Sequence, residues 1–399
     1  MLRIKQEHLD HFAGFSLALL VAFPMLRVTI LPLPGIALVI PIIFLLTVGM
    51  LCLYRDGTKR LQWNVVIYIY MVFLLFLYLL ISALWNVYDV NLNENIINIL
   101  FIGALIFSVA IAFNKRSVDY FLHWMVVFAV FTTFTYIYHY INIGSFRGYG
   151  IPAYLTRSLI LGMGAIIAIS KLLFFENVNN KLYASITVFL FFGLSISLGR
   201  AALLASSMIS LILIAVYYRN NWPKSYSMTE YFKNKSSLIV VLSILGVLGI
   251  VVTQIERTFN RLIRLFTGRE FTTQRVDLWK DSVIGFFDAP IFGHGLSSSG
   301  PIIEFNYPHN MYLQVLVEGG IFAFILLIII SLYPILKTYL LNRRGLLSTY
   351  VWIPLISCYV FLIINFSLAI NFYEGRVLVA MGLVMVILLN YIRIDKKVD

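Results

Sequence analysis

Charge is scarce in this chain. Only 12% of its 399 residues are Asp, Glu, Lys or Arg, about half the share of a soluble globular domain. Acidic residues are the rarer kind, 18 against 30 Lys and Arg, which leaves a formal charge of +12. Cysteine is nearly missing. Cys52 and Cys358 both fall in apolar stretches, so a disulfide framework and a thiolate metal site are excluded. There is no HExxH, no Asp-x-Asp before a polar loop, no CxxC pair and no P-loop. Clustered carboxylates for a metal are also missing, so the sequence predicts chemistry that uses no metal and no other cofactor. No internal repeat is visible, which counts against a transporter built from inverted halves.

What fills the chain instead is apolar. Hydrophobic residues make up 61% and the mean hydropathy is +0.90. Apolar windows of a length that spans lipid recur from end to end, the mark of an all-α, polytopic integral membrane protein. About 12 transmembrane helices are predicted, at roughly 12–31, 34–54, 63–85, 95–113, 119–142, 153–173, 180–198, 200–218, 236–254, 308–338, 350–370 and 374–393. Residues 1–399 then form a single integral membrane domain. Residues 255–308 are its one large extramembrane loop, between the ninth and tenth spans. The tenth span is long and is expected to break or tilt near Gly319-Gly320.

Numbering the loops from an inside N-terminus puts both termini on one face. That face collects the segments RDGTKR, NKR and KTYLLNRR, which is the positive-inside pattern. The opposite face has loops such as NVYDVNLNEN with no basic residue. All but one of its cations are arginines: Arg27, Arg147, Arg157, Arg200, Arg257, Arg261, Arg264, Arg269, Arg275 and Arg376, with Lys280. Arginine keeps its charge under desolvation and offers a planar fork that matches phosphate oxygens. In a membrane protein this distribution favours an anionic partner at the outer leaflet over nucleic acid.

Three outer residues carry the chemistry this pattern allows. Arg200 lies in SLGRAALL, where two apolar spans meet with no polar loop. A guanidinium buried there costs several kcal/mol unless it is paired or lines a wet cavity. Arg275 lies in TTQRVDLWKDSVIGFF, whose Val276, Trp279, Val283, Ile284 and Phe287 follow a helical spacing. That predicts an amphipathic helix on the outer surface, with Arg275 in its first turn, where a cation opposes the helix dipole. His309 follows Pro308 at the head of the tenth span, beside Asn310. A neutral imidazole there can accept a hydroxyl proton. Glu318 lies nine residues on, about 180° away on an ideal helix, so it is expected to pair with an arginine or polar group of another helix. Arg147 in GSFRGYG and Arg157 in AYLTRSL are further candidates for an anionic-lipid or pyrophosphate site. His294 sits in GHG, which reads as a turn.

SLGRAALL, QRVDLWKDSVIGFFDAPIFGHG and PHNMYLQVLVEGGIFAF, in this order around one loop, resemble the O-antigen ligase and polymerase superfamily. The likeness is sharp over about residues 190–330. It implies a glycosyltransferase C-type fold in the bacterial inner membrane, with both termini cytoplasmic and the loop and active site periplasmic. It implies transfer of a glycan from undecaprenyl pyrophosphate to lipid A-core, the ligase reaction, or to another repeat unit, the polymerase reaction. The ligase is favoured by the single dominant outer loop and by His-Asn at 309–310. One departure is Ala323, where the ligase pattern has a second glycine. By resemblance, Arg200 and Arg275 contact pyrophosphate and His309 helps activate the acceptor hydroxyl. Arg147, Arg157, Asn310 and Glu318 are carried as possible substrate contacts. A lipid-linked glycan transporter stays open as a different class.

Overall fold

The computed structural model describes residues 6–29, 39–56, 62–88, 90, 92–143, 151–175, 178–197, 199–221, 274–343, 349–372 and 375–395. Arg147 and the ninth expected span, 236–254, lie outside the described residues. Every regular element among the described residues is helical. The long helices are α1 (Gln6–Thr29), α2 (Val39–Asp56), α3 (Trp63–Ser82), α4 (Leu92–Ala112), α5 (Lys115–Ile143), α6 (Ile151–Phe174), α7 (Asn180–Ile196) and α8 (Arg200–Asn221). After the loop come α9 (Gln274–Asp288), the short α10 (Ser299–Ile302), α11 (Met311–Arg343), α12 (Thr349–Leu368) and α13 (Arg376–Asp395). Among the described residues, six stretches are long and apolar enough to cross a membrane: Trp63–Trp85, Asn95–Ala112, Lys115–His139, Leu155–Phe174, Arg200–Arg219 and Met311–Arg343.

The centre of the bundle is α6, whose residues 157–170 are all buried. It is buried because its neighbours come close, and they come close because small residues let them. At Gly162 an added Cβ would strike the Phe361 ring, and at Gly164 it would strike Ala129. Close approach of this kind replaces the hydrophobic drive that lipid does not supply. Outward-facing side chains are also large and apolar, among them Phe73, Phe107, Phe134, Phe192, Phe322 and Leu336. In water they would be a liability, but against acyl chains they are the expected surface.

One end of the bundle gathers the chain segments assigned to the inner face. Asn114 donates to Asp10, His11 stacks on Tyr120, and Lys171 lies over the Tyr183 ring. The other end gathers the polar loop, the end of α12 and the starts of α6 and α8.

The long helix α11 breaks at Gly320, as expected near Gly319-Gly320. Within α11, Gly320 has φ 63° and ψ −163°, a region only glycine occupies without strain. The break leaves backbone groups without helical partners, and the loop supplies them. His294 and Gly295 N–H donate to the carbonyls of Val317 (3.0 Å) and Glu318 (2.9 Å), and Ile321 N–H donates to Pro290 (3.0 Å). The approach is so close that a side chain on Gly320 would collide with the Ile291 carbonyl. Gly293 and Gly295 hold positive φ in the same loop. The loop is also tied to α3 and its exit: Tyr78 donates to Phe292 O and Asn86 to Leu296 O.

Gly320→Ala is expected to destabilise the protein by about 1–3 kcal/mol, seen as a lower melting temperature in detergent. Protease cleavage within 289–310 should accelerate at the same time. A variant that melts and digests like the wild type would show that the break does not depend on this glycine.

Candidate functional site

The helix α9 runs from Gln274 and carries Arg275 in its first turn, as its spacing predicts. Val276, Val283, Ile284 and Phe287 are exposed along one face, and Leu278 and Ser282 are buried on the other. Ser282 bonds back to Leu278 O, and Gly285 admits Ile302 from α10. This packing turns Arg275 toward the end of α12, where its Nη1 donates to Leu368 O at 2.8 Å. A helix C-terminus offers unsatisfied carbonyls and the negative end of the dipole, so it suits a cation.

His309 does not begin the helix. The expectation that it is the first residue of the tenth span is corrected by one cap position. Asn310 is the N-cap: its Oδ1 accepts from Tyr312 N (3.0 Å) and Leu313 N (3.1 Å). His309 precedes it with φ 54°, a conformation uncommon for a non-glycine residue. Trp279 of α9 donates to Pro308 O at 2.9 Å and so fixes the approach of this segment. The ring lies between Phe305 and Tyr307, and its Nδ1 is 3.3 Å from Ala369 O. A carbonyl can only accept, so this bond places the proton on Nδ1 and leaves Nε2 with a free lone pair.

Arg275 and His309 thus meet on consecutive carbonyls, Leu368 and Ala369. Burial holds the His309 pKa below its ordinary value. The bond to Ala369 opposes that shift, and the nearby Arg275 charge adds to it. The imidazole is neutral at pH 7.

The segment after α12 is itself held. Phe372 N donates to Gln314 Oε1 at 2.8 Å, and Gln314 Nε2 donates to Glu318 at 3.1 Å. Ser299 Oγ also donates to Glu318, at 2.6 Å. Glu318 is buried and bonded to a polar group of another helix, as its position predicts. Gln314 was not singled out by the sequence reading. The signal was present: a polar residue four positions before Glu318 in an otherwise apolar helix.

Arg200 opens α8, and its side chain is exposed. Among the described residues the buried arginine is Arg157, on α6, 2% exposed. Gly199 packs so tightly on Ser158 that an added Cβ would collide with it. That contact seats the start of α8 against α6 beside Arg157. Arg157 and Arg200 therefore share one corner, and Arg275 and His309 share another. The two corners lie at similar depth. Cys358 Sγ reaches Met163 O, and Phe361 sits at Gly162. From that level, seven residues up α12 to Leu368 rise about 10 Å and five back along α6 to Arg157 about 8 Å. Packed helix axes lie about 8–10 Å apart. His294 is a turn residue whose Nε2 lies 2.7 Å from Gly285 O. No group of three or more metal-binding side chains occurs among the described residues.

Residues 185–328 match a family model described as O-antigen ligase. A stretch of 130 residues is 28% identical to an uncharacterised protein of Haemophilus influenzae, covering 26% of this chain and 33% of that protein. The chain thus spans about a third of the length of this relative.

The imidazole of His309 should titrate below 6.5, its ordinary value, when followed by NMR. Arg275→Gln removes a cation and should raise that pKa. The sign for stability follows. Below the ordinary value the unfolded chain takes up a proton before the native His309 does, so this residue's contribution to stability is lost as pH falls. An unshifted titration in Arg275→Gln would separate the two side chains electrostatically.

Proposed function

From the match of residues 185–328 to a family model described as O-antigen ligase, we propose that this chain is the ligase of lipopolysaccharide assembly. It moves a glycan from undecaprenyl pyrophosphate to a sugar of lipid A-core. In this reading the chain crosses the bacterial inner membrane twelve times in a glycosyltransferase C-type fold. Both termini are cytoplasmic and the loop is periplasmic.

The observation that carries the proposal is the meeting of Arg275 and His309 on the carbonyls of Leu368 and Ala369. The acceptor hydroxyl attacks the anomeric carbon while its proton passes to His309 Nε2. The bond from that carbon to the pyrophosphate oxygen breaks, and its electron pair leaves on the pyrophosphate. Attack from the opposite side inverts the configuration. Negative charge grows on the leaving group, so Arg275 and Arg200 bind the transition state more tightly than the ground state. No nucleotide is consumed, since the pyrophosphate linkage already holds the free energy. Asn310 fixes the start of α11, and Glu318 steadies the backbone beneath the site. Arg147 and Arg157 add positive charge for the anionic donor.

Purified protein incubated with lipid-linked glycan and lipid A-core should yield glycan-bearing lipid A, with or without a chelator. Longer lipid-linked chains would mean a polymerase, and no covalent product would leave transport. Arg200→Ala and Arg275→Ala should express normally and lose transfer by at least about a hundredfold, the scale of one lost charge-stabilising donor. Wild-type transfer in either variant would remove that arginine from the mechanism.

A further inference from the structure

The proposed displacement needs two sides of His309, and the groups described so far stand on one. In an inverting attack the acceptor oxygen and the leaving oxygen lie on opposite faces of the anomeric carbon. Ala369 O takes Nδ1 of the imidazole, and Arg275 is on the neighbouring carbonyl of Leu368. The acceptor hydroxyl must reach the other nitrogen, Nε2. What borders the ring besides the end of α12 is the segment between α10 and α11.

That segment is held at both ends. Phe305 N–H donates to Gly300 O at 3.1 Å, and Trp279 Nε1 donates to Pro308 O at 2.9 Å. Ile303 and Pro308 are buried. Between these points Glu304 and Asn306 are exposed, and Phe305 and Tyr307 are half-buried. The Tyr307 ring centroid lies 4.4 Å from that of His309, and the Phe305 centroid lies 5.8 Å from it. Glu304 has φ 51°. Backbone strain of that kind persists only where the surroundings hold it.

The charge on this side is of the opposite sign to that on the donor side. No Lys or Arg occurs between Lys280 and Lys337, so the segment is not built for a phosphate. It is built for a sugar. The C–H face of a pyranose is apolar and stacks on an aromatic ring, and its hydroxyls donate to a carboxylate. Tyr307 offers the ring beside the imidazole, and Glu304 offers the carboxylate on the exposed side. A fixed backbone and stiff rings lose little freedom on binding.

We propose that Glu304 and Tyr307, with Phe305, form the subsite for the acceptor sugar. Tyr307 lies under the pyranose, and Glu304 accepts from two vicinal hydroxyls other than the one that attacks. This rests on the ligase reading and names the class of acceptor it selects. That acceptor is a pyranose with free neighbouring hydroxyls, and one phosphorylated at that edge is repelled by the carboxylate.

Binding of lipid A-core, and of lipid A without core sugars, would be measured on the full chain in nanodiscs, and transfer would be followed against the concentration of each substrate. The wild type should bind lipid A-core more tightly than bare lipid A. Glu304→Gln and Tyr307→Leu should each weaken lipid A-core by about tenfold or more. Both should raise the acceptor KM to the same extent and leave the donor KM unchanged. Tyr307→Phe keeps the ring and should bind like the wild type. Glu304 is exposed, so Glu304→Gln should melt like the wild type, and it serves as the reporter if Tyr307→Leu does not fold.

Wild-type binding of lipid A-core by Glu304→Gln would overturn the subsite while leaving the ligase reading intact. So would a fall in kcat with both KM values unchanged, since that marks a displaced His309 and not a lost sugar contact. A wild type that transfers glycan to lipid A-core without preferring it to bare lipid A would have the same consequence. A wild type that neither binds lipid A-core nor transfers glycan to it would sink the subsite and the ligase reading together.

Discussion

The outer end of this molecule depends on a helix that is broken and then repaired by another part of the chain. Near lipid, an unsatisfied backbone group costs several kcal/mol, so a break in α11 persists only if something fills it. The loop at 290–295 does so with donors and an acceptor of its own backbone, from His294, Gly295 and Pro290. Glycine at 320 permits the conformation, and glycine at 293 permits the approach. Once docked, the loop is pinned between two points. Arg275 lies on the helix that leads into it, and His309 lies at its exit. Neither can move far without undocking the loop or sliding α9. The apolar, turn-rich motif between them is thus scaffolding for groups that stand outside it.

The same economy explains the second layer. Glu318 sits two residues before the break, and its carbonyl serves the loop while its carboxylate takes Ser299 and Gln314. Gln314 in turn holds Phe372, three residues beyond the carbonyl that receives His309. Each bond fixes a different strand of chain, so the carboxylate spends its charge on geometry. It is buried, and its carboxylate oxygen accepts from both Ser299 and Gln314.

Much of the architecture was legible in the sequence, because lipid imposes a strong rule. Apolar runs of the right length had little choice but helix. The observed ends of α3, α6, α7 and α12 lie within a few residues of those expected. The break in α11 was legible because two adjacent glycines interrupt a long apolar run. What stayed hidden depends on contacts between distant segments. Nothing local distinguishes Arg157 from Arg200 as the buried one. The Asn310 cap is a common local motif, but the positive φ of His309 is imposed by Trp279 gripping Pro308. Gln314 looked like one polar residue in an apolar helix until Phe372 folded back upon it.

The shortage of acidic residues, noticed first as a lack, turns out to be the chemical condition of the site. Arg275 bonds to a carbonyl, Arg200 faces outward, and Arg157 lies on an aromatic ring. None of these partners is a carboxylate. A neutral partner holds a guanidinium in place without cancelling its field, whereas a paired carboxylate would have to be displaced before an anion could bind. Positive potential kept uncancelled at low dielectric acts strongly on charge that grows during a reaction. Burial lowers the His309 pKa, and the nearby Arg275 charge adds to that; only the neutral imidazole can take a proton. In the proposed displacement Arg275 would thus act at both ends, on the group that leaves and, beside burial, on the imidazole that receives the proton of the group that arrives.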